Sequence, residues 1–142
     1  GERVGPFGQE IFACQTLKQV VLSFRDNRIT GGGLPQFGAA IGQSQLLTEL
    51  DLSFSGNLVT DKFLEQFGRG LSACPRLAKL SLDFASNRIA GDHFGQFGAD
   101  IGNLAELASL TLNFSGNQIP DECLAEFGAG IAACSSLLHL DL

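Results

Sequence analysis

The chain has 142 residues, of which 44% are hydrophobic and 17% charged, and its formal net charge is −6. That balance is too apolar and too weakly charged for a disordered tail. It also lacks the basic stripe that neutralises phosphates, which argues against nucleic acid as a partner. No stretch approaches the ~18 uncharged apolar residues of a membrane-spanning helix, so no direct span is expected.

From the N-terminus, residues 1–16 match the helical half of a repeat. A strand-like pattern then begins at Leu17 and restarts at Leu47, Leu77, Leu107 and Leu137, a spacing of 30 residues without an insertion. Other columns keep the same phase. Phe24, Phe54, Phe84 and Phe114 form one, and Asn27, Asn57, Asn87 and Asn117 another. Phe7, Phe37, Phe67, Phe97 and Phe127 form a third, each followed by Gly. A fixed period between 20 and 50 residues is the mark of stacked supersecondary units.

Each period has two halves. Alternation at Leu80, Leu82 and Phe84 is the period-2 signal of a strand with one buried face. Leu124, Phe127, Ile131 and Cys134 follow the three-and-four spacing of an amphipathic helix. Asp61 and Asp121 precede the helical stretches, where a short carboxylate can accept from free N–H groups. One strand and one helix per period, always in that order, predicts parallel strands with the helices on the opposite side. The Asn column is expected to be structural, its amides satisfying backbone groups of the turn. Gly in mid-helix costs ~1 kcal/mol against Ala, so the Phe-Gly column predicts close packing of helix on helix or of helix on sheet, the alternative being a segment that is only loosely helical.

The repeat Leu107-x-x-Leu110-x-Leu112-x-Phe114-x-x-Asn117-x-Ile119 resembles a leucine-rich repeat protein of the ribonuclease-inhibitor-like type, with two residues added before the Asn. The resemblance covers the whole chain. It implies an α/β horseshoe segment with parallel strands on the concave side and helices on the convex side. On this reading residues 1–142 form a single array of about four and a half repeats. It would be uncapped at both ends and part of a longer protein, with end-to-end contacts through the open repeats.

Chemistry-bearing residues do not converge. Cys14, Cys74 and Cys134 share a column with Ser44 and Leu104, as small core hydrophobes would. The spacing of Cys14 from Cys74 and of Cys123 from Cys134 exceeds disulfide reach. Free thiols weakly favour a reducing compartment. No C-x-x-C occurs, and His93 and His139 stand apart, so neither metal nor catalytic dyad is indicated. Gly31-Gly32-Gly33 lacks the Lys-Ser/Thr pair of a phosphate loop and reads as a frayed helix start, with Pro35 tolerated in the first turn. Asn113-Phe114-Ser115 matches a glycosylation sequon, but Phe114 belongs to a core column. Neither an enzyme nor a cofactor is expected.

The outward strand positions are the expected protein-binding surface. They are Gln19, Val21, Ser23 and Arg25; Glu49, Asp51 and Ser53, followed by Ser55; Lys79, Ser81 and Asp83, followed by Ala85; Ser109, Thr111 and Asn113, followed by Ser115; then His139 and Asp141. This surface is polar and slightly acidic, and it carries no Trp or Tyr, the usual interface anchors. It suits a neutral or basic protein surface. A protein-interaction scaffold is the first functional expectation. The resemblance to leucine-rich repeat proteins also permits a regulatory array such as a GTPase activator, with Arg25, Arg28 and Arg88 near the strand-to-turn edge; a further alternative is a structural accessory subunit of a large assembly, photosynthetic and membrane-associated ones included.

Overall fold

A computed structural model describes residues 3–142. Five strands alternate with five helices. They are α1 (Val4–Phe12), β1 (Gln19–Ser23), α2 (Leu34–Gly42), β2 (Glu49–Ser53), α3 (Asp61–Ser72), β3 (Lys79–Asp83), α4 (Phe94–Gly102), β4 (Ser109–Asn113), α5 (Asp121–Ile131) and β5 (His139–Asp141). The strands form one sheet in the order β1-β2-β3-β4-β5. Every pairing is parallel, and partners differ by the repeat period, as in Leu50↔Leu80 and Leu80↔Leu110. Each helix packs on its predecessor and successor.

The alternation of side chains explains the layering. Leu50, Leu52, Leu80, Leu82, Leu110 and Leu112 point to one face and are buried, while the residues between them stay open or half-open. The buried face meets Phe37, Phe67, Phe97 and Phe127 from the helices. Phe24, Phe54, Phe84 and Phe114 stack along the array with centroids 5.1, 5.5 and 5.5 Å apart. Helix phenylalanines meet this row edge-on, as Phe67 does against Phe54 and Phe84. Such pairs add about 0.5–1.5 kcal/mol beyond area burial.

The Asn column ties successive units together. The Asn57 amide donates to its own Phe54 carbonyl and to the preceding unit's Phe24 carbonyl, both at 2.8 Å. Its Oδ1 accepts from the backbone N–H groups of Asn27 and Ile29 at 3.1 and 2.9 Å. Asn87 and Asn117 repeat the scheme, accepting from Val59 and Ile89. Backbone bonds run beside them: Phe54 donates to the Asp83 carbonyl at 2.7 Å and Phe84 to that of Asn113 at 2.8 Å. The turn then passes through a left-handed residue at Asp26, Gly56, Ser86 and Gly116, with φ between 54° and 70°. That curl puts Ser55 and Ala85 inside, not on the outward surface where alternation placed them.

The helices repeat with a period of two units. α2 and α4 have 9 residues and follow Gly31 and Gly91, which have φ of 109° and 103°. α3 and α5 have 12 and 11 residues and begin at Asp61 and Asp121. Glycine lets the backbones within each pair touch. A Cβ on Gly70 would strike the Gly38 backbone, and one on Gly42 the Gly70 carbonyl. Gly102 and Gly130 reproduce this between α4 and α5. The Phe-Gly column is close-packed as well up to its last member, Gly128, which faces open space: a Cβ on Gly98 would lie 2.6 Å from the Phe127 carbonyl oxygen.

Three local expectations need correction. Asp61 does not cap its own helix. Its carboxylate reaches the next unit and accepts from the Ala90 and Gly91 N–H groups at 3.0 and 2.7 Å, because the parallel stack holds that turn directly over it. The Cys14/Cys74/Cys134 column lies past the helix ends, not on the helical stripe. Cys74 and Cys134 are buried there, with their thiols toward carbonyls of the preceding unit, while Cys14 is exposed. Leu124, read as part of the buried stripe, is 51% exposed.

Two outcomes follow. Asn57→Ala and Asn87→Ala should each lower unfolding free energy by about 1–3 kcal/mol, measured by urea denaturation, against near-neutral effects for exposed Gln45→Ala. The thiols should differ in reactivity, since the thiolate is the nucleophile. Burial pushes the Cys74 thiol up to about 11, whereas the hydrogen bond to Thr16 holds the exposed Cys14 thiol below its usual value. Iodoacetamide at pH 8 should therefore modify Cys14 first and Cys74 last, read by peptide mass spectrometry.

Candidate functional site

The open face of the sheet is built by the same parallel register that buries the leucines. Three rows of side chains cross it. Gln19, Glu49, Lys79, Ser109 and His139 make the first row. Val21, Asp51, Ser81, Thr111 and Asp141 make the second. Ser23, Ser53, Asp83 and Asn113 make the third. The structure thus brings the sequence-predicted surface residues together on one side, with Arg25 exposed just beyond the third row. Glu49, Ser53, Ser81, Asp83, Ser109 and Thr111 are half-buried by their neighbours; the others are exposed.

Cross-strand bonds order parts of this face. Gln19 Nε2 donates to Glu49 Oε2 at 3.1 Å, and Ser53 Oγ donates to Asp83 Oδ2 at 3.0 Å. Asp83 Oδ1 accepts from the Ala85 N–H at 3.1 Å. Val21 is the apolar member, 65% exposed. Carboxylates at Glu49, Asp51, Asp83 and Asp141 stand against single cations at Arg25 and Lys79, so the face has an acidic bias. Its chemistry is that of hydrogen-bonding and charge recognition.

The other candidates do not assemble into a reactive centre. Arg25, Arg28 and Arg88 are exposed turn residues. Arg28 and Arg88 are separated by the unit that carries Leu58, so they form no cluster. His93 sits at the start of α4, with Nδ1 3.7 Å from Glu65 Oε2. His139 is exposed on β5. Among the described residues no group of three or more His, Cys, Asp or Glu could hold a metal ion, and no helix is long and apolar enough to cross a membrane. Gly31 and Gly32 line a surface cleft of about 360 Å³ with Thr60 and Lys62 from the next unit. α2 starts at Leu34 with Pro35 in its first turn. The Asn113 side chain accepts from the Ser115 N–H and hydroxyl at 3.1 and 2.8 Å, an ordinary turn closure.

One feature that the sequence reading missed is Asp100. It lies buried on α4 between Gly68 and Gln96. Its counterparts on the helices that lie between neighbours, Ala40 and Gly70, are small, and that departure was the signal that could have exposed it; Glu10 holds the same place on the first helix but is exposed.

No protein-family model and no curated protein matches the sequence. Solved structures do match in fold. One is actin-binding site 2 of leiomodin-1, at 18% identity and a TM-score of 0.68 over 99% of this chain and 75% of that one. Another is the C-terminal domain of Caenorhabditis elegans tropomodulin, at 13% identity and a TM-score of 0.69 over 99% of this chain and 81% of that one. The resemblance to ribonuclease-inhibitor-like leucine-rich repeats is corrected by these neighbours. Leucines at the observed spacing specify a strand buried on one face and a turn closed by Asn, requirements of the parallel stack rather than of one family. The chain thus shares the α/β, parallel-sheet fold of tropomodulin and leiomodin domains.

Proposed function

We propose that the chain is a protein-interaction module that engages a neutral or basic protein surface through the open face of its sheet. The reading treats residues 1–142 as one solenoid array, with this face as its concave side. The observation that carries it is the helix-free sheet face, on which in-register strands align fourteen half-buried or exposed positions into three continuous rows. A surface of this kind binds by distributed hydrogen bonds and charge, which set specificity and association rate. The fold neighbour from leiomodin-1 is an actin-binding site, which makes actin the first partner to test.

The contact residues are Gln19, Val21, Ser23, Arg25, Glu49, Asp51, Ser53, Lys79, Ser81, Asp83, Ser109, Thr111, Asn113, His139 and Asp141. Within them Glu49 and Asp51 stand beside exposed Val21 across the β1–β2 pairing, where a cationic side chain would gain both charge and apolar contact.

The test is binding of the chain to monomeric and filamentous actin, by biolayer interferometry and co-sedimentation. The double variant Glu49→Lys/Asp51→Lys is compared with Glu106→Lys, which lies outside the face. The expected result is at least a tenfold loss for the face variant, roughly 1.4 kcal/mol or more, steepest at low salt, with the control unchanged. Undiminished binding by the face variant would sink the assignment of the face. Absence of binding to either form of actin would remove that partner.

A further inference from the structure

The seam between α3 and α4 departs from the pattern of the other helix contacts. At the positions equivalent to Asp100 the chain places an exposed acid, Glu10, on α1 and small residues, Ala40 on α2, Gly70 on α3 and Gly130 on α5, so Asp100 alone is a buried acid in this column. Asp100 is 7% exposed. Its Oδ1 accepts from Gln96 Nε2 at 3.0 Å, while Oδ2 has no hydrogen-bond partner. Oδ2 points at the α3 backbone, where a Cβ on Gly68 would come within 2.9 Å of it. Arg69, the cation that acts on Asp100 from α3, is turned to Glu65 at 3.1 Å, and Glu65 in turn has His93 at 3.7 Å. A buried carboxylate with one oxygen unpaired is costly in its ionised form.

We propose that the α3–α4 seam is a pH-responsive joint, in which Asp100 packs favourably as the neutral acid and strains the contact with Gly68 as the carboxylate. Groups facing Asp100 from α3 are Glu65 and Arg69; those on its own helix side are Gln96 and, through Glu65, His93. Burial raises the Asp100 carboxyl above its ordinary range, and Glu65 adds to the rise. The Gln96 hydrogen bond and Arg69 work in the opposite direction. With the folded value above the unfolded one, the proton is bound more tightly in the fold. Asp100 then contributes most below the ordinary carboxyl range, ~3.9, and that contribution is lost as pH rises through the folded value. The joint lies between the second and third units counted from β1, whose strands pair through Glu49↔Lys79 on the open face, so its state bears on how the two halves of that face are set.

Thermal unfolding of the chain at pH 4 and pH 7.5 tests this, using wild type, Asp100→Asn and Asp100→Ala. Asn preserves shape without charge, and Ala restores the residue that α2 carries. The expected result is a gap in Tm favouring Asn that is wider at pH 7.5 than at pH 4 by on the order of 3 °C. Hydrogen exchange should agree: protection of α3 and α4 amides, relative to α2 and α5, should fall between pH 4 and pH 7.5 in wild type and stay level in Asp100→Asn. If Ala loses packing, its Tm falls equally at both pH values, and the pH dependence of the Asn gap still decides. A gap between wild type and Asp100→Asn that is the same at both pH values, or widest at pH 4, would overturn the proposal.

Discussion

The structure depends on backbone groups of one unit being satisfied by the side chain of the next. A turn that leaves a strand and curls inward exposes carbonyls and N–H groups to a dry interior, where each unpaired group costs on the order of 1–3 kcal/mol. Asn57 answers this with one amide that spans two units, donating to Phe24 and Phe54 and accepting from Asn27 and Ile29. No other uncharged side chain this short offers both a two-proton donor and a two-lone-pair acceptor. The carbonyls it meets belong to the stacked phenylalanines themselves, so packing and polar satisfaction are one arrangement. Stability is therefore shared between neighbours and is not owned by any unit alone.

The same dependence on neighbours builds the open face. Because partners differ by one period in every pairing, each outward position meets its own column on the next strand. Chemistry on that face is thus set column by column. The first row moves from Gln19 through Glu49 to Lys79, Ser109 and His139, so its charge varies along the array while its geometry does not. A partner reading such a surface would distinguish position along the row by charge and hydrogen bonding, with little large apolar area beyond Val21.

Much of this was legible in the sequence because the determining interactions are local or periodic. Alternation at Leu80, Leu82 and Phe84 reports a one-sided strand, and the constant period without insertions reports the parallel register. The Asn column could be read as structural because an amide is the group a buried turn needs. What escaped were interactions made across a whole unit. Asp61 looks like a helix cap by spacing, yet its acceptors' partners are Ala90 and Gly91, 29 and 30 residues away. Asp100 looks like a solvated helix acid until the glycine opposite, Gly68, is seen to draw the helices together. The family assignment failed for a related reason: leucine spacing encodes the one-sided strand and not the family that uses it.

The pairing of long and short helices has a bearing on how such a protein can grow or be rebuilt. Gly42 meets the Gly70 carbonyl within one pair, as Gly102 meets that of Gly130 in the next. Excising the single unit that carries α3 would set α2 against α4 and bring Gly42 opposite Asp100, where backbone contact requires the smallest residue. Duplication or deletion in steps of sixty residues (two periods, as from Gly42 to Gly102) keeps every joint matched. The heritable module, and the sensible building block for engineered lengthening, is therefore the doublet.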